Sequence, residues 1–244
     1  MHDKEPVGLV ELTVYLRVYA MLIESGVSLM RCMHILDQST TYEPLRQANK
    51  EIMDAVEGGE TLSKSMCAHP ELFSSFLIGL VRAGEVGGVL DETMRRAADF
   101  YQKQLDYRRQ RYTLYATAAA LGEETVGQYE KALEEVADDL LIQYFCHMFG
   151  TMLLSGVPLL QAMQVAAEVL PERQAEGIMK AREGLREGET SLAPYLVASG
   201  FPSALVMLFT IGEETGDLDR MALRAGDIIG AQVAGRLEAS LGFN

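Results

Sequence analysis

At 244 residues the chain has room for one large domain or two of about 100–120 residues, each able to bury its own core. With 48% apolar and 23% charged residues it is not a disordered chain, and a net charge of −14 disfavours nucleic acid and an anionic membrane face. Three cysteines without a CxxC pair exclude a disulfide framework and fit a reducing compartment.

Residues 1–9 carry Asp3, Lys4, Glu5 and Pro6 and lack the apolar run of a signal peptide. No stretch reaches about 18 uncharged apolar residues, so no membrane span is predicted. Six helices follow in order. The first covers 11–25, with Leu12, Leu16, Tyr19 and Ile23 at helical spacing, and stops at Gly26. Ser28 caps a second through residue 38, with Leu29, Cys32, Met33 and Leu36 on one face. Pro44 opens a third, which runs to Glu57 and Gly58-Gly59. Thr61 or Ser63 starts a short fourth that ends before Pro70. Ser74 starts a fifth, running to Ala83 and closed by Gly84 as a positive-φ C′ residue. The sixth begins near Leu90-Asp91 and continues through Met94, Ala97, Ala98, Tyr101 and Leu105.

Residues 107–139 form a link, apolar over 112–121 and then acidic at Glu123, Glu124, Glu130, Glu134, Glu135, Asp138 and Asp139. It reads as helix, a break near Gly122, then helix again. Six more helices are predicted over 140–155, 158–170, 172–186, 191–198, 203–211 and 218–241. No run alternates β-branched with polar residues, so the fold class is all-α. The 13 methionines fit gaps between helices.

The two sets of helices are copies. Ser25-Gly26-Val27-Ser28-Leu29-Met30 recurs as Ser155-Gly156-Val157-Pro158-Leu159-Leu160, and Met33 as Met163. Gly59-Glu60-Thr61 recurs as Gly188-Glu189-Thr190, and Gly84-Glu85 as Gly212-Glu213. Gly88-x-Leu90-Asp91 recurs as Gly216-x-Leu218-Asp219, and Arg96-Ala97 with Asp99 as Arg224-Ala225 with Asp227. The offset drifts only from 130 to 128. Units this long are a duplicated domain, since solenoid repeats run about 20–50 residues. The expected architecture is two tandem homologous six-helix bundles, 9–108 and 140–244, joined by an acidic helical linker, 109–139.

Catalytic patterns are missing: there is no GxxxxGK[ST] loop, GxSxG elbow or HExxH. Gly84-x-x-Gly87-Gly88 follows no strand, which removes the dinucleotide reading. Cys32-x-His34, Cys67-x-His69 and Cys146-His147 raise zinc, but helix residues one or two apart point to different faces. The paired Gly-Glu turns carry the sharpest local signal. Glu85 is followed by Asp91, and Glu213 by Asp217 and Asp219. These hard oxygens make Glu85, Asp91, Glu213, Asp217 and Asp219 candidate Ca²⁺ ligands, although the EF-hand pattern is absent. The competing reading is structural and is preferred. In it, Gly84, Gly88, Gly212 and Gly216 shape the turns while Glu85 and Glu213 accept backbone N–H groups at the next helix start, with no cofactor.

These motifs resemble those of the inner-membrane platform protein of type II secretion systems and type IV pili. The resemblance rests on Leu153-Leu154-Ser155-Gly156-Val157-Pro158-Leu159, on Phe201-Pro202, and on Gly212-Glu213-Glu214-Thr215-Gly216-Asp217-Leu218. Leu72-Phe73 and Ala83-Gly84-Glu85 carry it in the first copy. It implies a pair of cytoplasmic six-helix bundles that pass motion from a hexameric assembly ATPase to pilin or pseudopilin subunits, with no catalytic residues. The expected partners are that ATPase or other assembly components, with no nucleic acid. The expected location is the cytoplasm, or the cytoplasmic face of the inner membrane through partners.

One departure stands out. Platform proteins carry a transmembrane helix after the first bundle and more around the second, whereas the slot after Arg111 holds only residues 112–121, too short to span. The chain is therefore either a natural relative without spans or one from which they were removed. The apolar 112–121 stretch needs cover, and a symmetric homodimer is expected to provide it.

Overall fold

The computed structural model describes residues 8–188 and 191–242, and among these it holds thirteen α-helices and no strand. Three sequence readings lie partly outside the described residues: the N-terminal segment before Gly8, the repeated Glu189-Thr190 pair, and the end of the second bundle at Phe243 and Asn244. The chain divides into two units. One comprises Met1–Asp106 with Ser155–Val157; the other comprises Tyr107–Leu154 and Pro158–Asn244.

The first unit contains α1 (Leu9–Glu24), α2 (Leu29–Ser39), α3 (Glu43–Glu57), α4 (Leu62–Met66), α5 (Ser75–Gly87) and the start of α6 (Leu90–Leu121). Pro44 stands in the first turn of α3, where its missing N–H costs nothing. The Ser74 hydroxyl accepts the Leu77 amide at 3.3 Å and so starts α5. The core gathers Leu16, Met33, Leu36, Leu45, Ile52, Phe76, Leu77, Leu80 and Met94, all at most 2% exposed. One polar pair is buried among them. Tyr15 donates its hydroxyl to Asn49 Oδ1 at 2.7 Å, and Asn49 Nδ2 donates to the Met33 carbonyl at 2.9 Å. These bonds tie α1, α2 and α3 together, and burial raises the Tyr15 pKa above the ordinary tyrosine range.

The second unit holds the rest of α6, α7 (Glu123–Glu135), α8 (Ala137–Leu154), α9 (Leu159–Ala167), α10 (Glu172–Glu187), α11 (Ala193–Ala198), α12 (Ser203–Thr215) and α13 (Leu218–Ala239). The predicted break at Gly122 is present, with φ 122°, and separates α6 from α7. Tyr129 of α7 is buried, and its hydroxyl donates to the Arg111 carbonyl at 3.0 Å, so α7 folds back along α6. Phe145, Phe149 and Phe209 stack with centroids 5.5–6.4 Å apart and form the centre of this core. Gly150 and Gly230 let α8 and α13 close together: a Cβ at Gly150 would stand 2.7 Å from the Asp219 carbonyl oxygen.

Burial repeats in register between the copies. Thr13, Tyr15, Leu16, Tyr19 and Ala20 are buried in α1, and the residues 130 later, Gln143, Phe145, Cys146, Phe149 and Gly150, are buried in α8. Leu45, Ala48, Asn49 and Ile52 of α3 match Gln174, Gly177, Ile178 and Ala181 of α10 at an offset of 129. The Tyr15–Asn49 pair of the first copy thus has Phe145 and Ile178 as its counterparts. Exchanging both partners for apolar groups leaves no orphaned donor, which is why the swap is tolerated.

The fifth helix of each copy runs beyond the predicted end. Gly84 and Gly212 do not have positive φ; they lie inside α5 and α12, and the left-handed residues are Gly88 (φ 68°) and Gly216 (φ 76°). The Gly84 carbonyl accepts the Val89 amide at 2.9 Å, and Gly212 accepts Asp217 at 3.0 Å, closing each helix one turn later. Gly84 and Gly212 serve close approach instead. A Cβ on Gly84 would collide with Thr93 Oγ1 and stand 3.0 Å from Leu90 Cα; on Gly212 it would stand 2.8 Å from Leu218 Cα. Gly212→Ala is therefore expected to lower stability by roughly 1–3 kcal/mol through overpacking. Gly79 of α5 has nothing within 4 Å of such a Cβ, so Gly79→Ala is expected to raise stability by about 0.5–1 kcal/mol. Urea melts of the two variants check both signs, and a neutral Gly212→Ala would refute the close-approach reading.

Candidate functional site

The short fourth helix of each copy begins where the fifth one ends. A helix of five residues is nearly all terminus, so its first N–H groups need partners from outside. In α4 each partner is visible. Glu85 Oε1 accepts the Leu62 amide at 2.5 Å, while Oε2 accepts the Ser63 amide at 3.2 Å and the Ser63 hydroxyl at 2.5 Å. Thr61 Oγ1 accepts the Lys64 amide at 3.3 Å. In α11, Glu213 Oε1 accepts the Leu192 amide at 2.6 Å, Oε2 accepts the Ser191 hydroxyl at 3.0 Å, and Ser191 Oγ accepts the Ala193 amide at 3.2 Å. Both glutamates are half-buried, so these charge-assisted bonds are only partly screened by water.

The glutamates thus serve the preceding short helix rather than the sixth helix, which the local sequence had made the natural candidate. The contact spans a 22-residue loop in each copy: Ser63 to Glu85 and Ser191 to Glu213. Ser63 was read from sequence only as a possible start of the fourth helix, and neither serine as a partner of a glutamate. The equal spacing of the two Ser–Glu pairs across the repeat was the signal available.

The remaining candidate ligands do not join them. Asp91 is exposed on the first turn of α6. Asp219 Oδ1 accepts the Arg220 amide at 2.8 Å, and Asp217 pairs with the Arg220 guanidinium at 3.5 Å. Among the described residues no group of three or more His, Cys, Asp or Glu is placed to hold a metal ion. The Cys-His neighbours separate as well. Cys32 is on the buried face of α2 and Cys67 is exposed. His69 lies between Glu51 at 3.5 Å and Glu71 at 3.7 Å. His147, 1% exposed, meets Asp227 at 3.1 Å and stacks on Tyr107 at 5.7 Å. Burial raises the Cys146 thiol well above its ordinary range.

Among the described residues the chain is an all-helical, internally duplicated protein in which one carboxylate of each copy binds its own backbone. The family model of type II secretion system protein F matches residues 15–122 and 145–243, one segment for each copy. The chain belongs to that family, whose members act in type II secretion and type IV pilus assembly. The type IV pilus assembly protein PilC of Myxococcus xanthus is 24% identical over 297 residues, covering 91% of this chain and 71% of the relative. Type II secretion system protein F of Xanthomonas campestris is 22% identical over 319 residues, covering 98% and 77%. PilC of Thermus thermophilus is 35% identical over 101 residues, 41% of this chain and 25% of its own length. An alignment of 319 positions against 244 residues leaves at least 75 at which the Xanthomonas protein has residues and this chain has none. No described helix is long and apolar enough to cross a membrane.

Glu85→Ala removes three accepted bonds and Glu213→Ala two. Each is expected to lower stability by roughly 1–3 kcal/mol, Glu85→Ala the more, because buried donors are left without acceptors. The losses should be the same with Ca²⁺ and with chelator. A Ca²⁺-dependent rise in melting temperature that vanishes in Glu213→Ala would make the carboxylate a ligand. Independently, a thiol reagent should label Cys67 rapidly in the folded protein and reach Cys32 and Cys146 only after denaturant is added.

Proposed function

We propose that the chain is a non-enzymatic scaffold of the platform-protein kind, docking an assembly ATPase or other pilus or secretion components at the cytoplasmic face of the inner membrane. The observation that carries this reading is the match of the family model to both copies, over 15–122 and 145–243. Two further points support it. The most distinctive carboxylates of each copy, Glu85 and Glu213, already accept two or three protein hydrogen bonds, and carboxylates so occupied are poorly placed for general acid–base work. The family match takes in most of both helical copies, which supports reading them as its interaction module.

The direct test mixes the purified chain with the hexameric assembly ATPase of the same organism and follows both by size-exclusion chromatography. Co-elution is the expected result. If neither the ATPase nor any pilus or secretion component of that organism co-elutes or is pulled down, the docking reading fails, while the family assignment stands.

A further inference from the structure

The two copies leave the same helix face in different states. In the second unit the latter part of α6, from Tyr107 onward, lies against α8 and α13. The Tyr107 ring stacks on His147 with centroids 5.7 Å apart, and Leu114 shares a cavity wall with Leu140. Seven residues along α6 therefore match seven along α8 in the reverse direction, so the two run antiparallel. The α13 side of the seat is Gly230, where a Cβ would stand 3.6 Å from the Tyr107 hydroxyl. His147 is only 1% exposed.

In the first copy, 130 residues earlier, Val10 stands for Leu140 and Arg17 for His147. There α1 and the first part of α6 form the same antiparallel pair. Arg17 donates to Gln102 Oε1 at 2.8 Å, and Glu24 meets Arg95 at 3.4 Å. Gln102 is the counterpart of Gly230 at an offset of 128. This seat is open: Val10 is 47%, Val14 57% and Met21 63% exposed, with Arg17 exposed between them. The four positions advance by three or four residues at each step, so they form one stripe of about three turns.

We propose that the Val10–Val14–Arg17–Met21 stripe of α1 seats a basic amphipathic helix of a partner protein, held as the latter part of α6 is held on α8. The occupied seat states the chemistry that fits the open one. An aromatic ring belongs over Arg17, in the place of Tyr107 over His147. The guanidinium bonds Gln102 in its own plane, which leaves its flat face for a ring. An aliphatic residue seven positions later belongs beside Val10, as Leu114 lies by Leu140, and aliphatic residues in the turns around the ring reach Val14 and Met21. Glu11, exposed next to Val10, places a base in the following turn, and a chain of net charge −14 draws a basic helix toward it. The chain's own helix of this pattern is α6, and it is already seated in the second unit. The docking reading above supplies the source of the partner helix; the seat itself is argued from the duplication.

The probe is an alanine-based helical peptide of about 18 residues, with tyrosine and leucines on one face and arginine in the turn after them. Its fluorescence anisotropy is followed against the full 244-residue chain. Saturable binding below about 1 mM is expected, and a peptide with the tyrosine and leucines replaced by alanine should not bind. The double variant Val14→Gln with Met21→Gln should weaken binding at least tenfold. Arg17→Leu should reduce the preference for tyrosine over leucine at the place of the ring. All three positions are exposed, and unchanged circular dichroism and melting temperature confirm that the variants fold. No saturable binding in that range, equal binding of the alanine peptide, binding indifferent to the double variant, or a tyrosine preference that Arg17→Leu leaves intact overturns the proposal. A chain that sediments alone as a dimer, returned to monomer by the same double variant, would give the face to a second copy and overturn it as well. Any of these failures leaves the co-elution test of the docking reading standing.

Discussion

The fold of each copy depends on one carboxylate reaching back across a loop. A five- or six-residue helix gains too few internal hydrogen bonds to offset the entropy of forming it. Glu85 and Glu213 supply acceptors to α4 and α11 at the positions where their own backbones cannot. Each glutamate follows the glycine that lets the fifth helix press on the sixth, Gly84 against Leu90 and Gly212 against Leu218. Residues 84–85 and 212–213 therefore set two packing contacts at once, one on each side of the fifth helix. The charge need not be neutralised by a cation, since backbone and hydroxyl donors already converge on it.

The repeat, the helical class and the order of elements were legible because periodicity and ordered motifs are properties of the chain itself. What was not legible was the job of each glycine. Gly84 and Gly88 are four apart, as are Gly212 and Gly216, and either member of a pair can end a helix on local grounds. Only the neighbouring helix decides, because the first of each pair faces a backbone that leaves no room for a Cβ while the second faces open space. The destination of Glu85 was hidden for a similar reason. The nearest N–H donors in sequence belong to the sixth helix, but the fifth helix carries the side chain toward a donor set 22 residues upstream. Local reasoning finds the group and misses the partner whenever a loop closes on itself.

The copies have diverged inside a common burial register. Where α1 has Tyr15 and Tyr19, α8 has Phe145 and Phe149; where α3 has Asn49, α10 has Ile178. The first copy ties α1, α2 and α3 together with a buried polar pair, and in the second stacked rings join α8 to α12. The two solutions differ in kind. A buried hydrogen-bonded pair penalises any shift that breaks it, because an orphaned amide costs about 1–3 kcal/mol. Stacked rings hold over a broader range of offsets at about 0.5–1.5 kcal/mol each. The first copy is thus the more narrowly specified in geometry, and the Glu85 cap, with one more bond than that of Glu213, points the same way.

Residues 112–121 are uncharged, but ten residues reach only about 15 Å as helix, half the thickness of a bilayer core. The segment spends that apolar surface locally. Gly122 reverses the chain, Tyr129 bonds to the Arg111 carbonyl and meets Tyr115 edge-on, and α7 covers one side of α6. One helix can cover only one side of another, so the opposite face, centred on Tyr112, stays exposed. A chain with so many charges elsewhere tolerates one such face without precipitating, since net charge far from zero keeps molecules apart except where geometry and local charge match. The acidic α7 beside it repels nonspecific anionic surfaces.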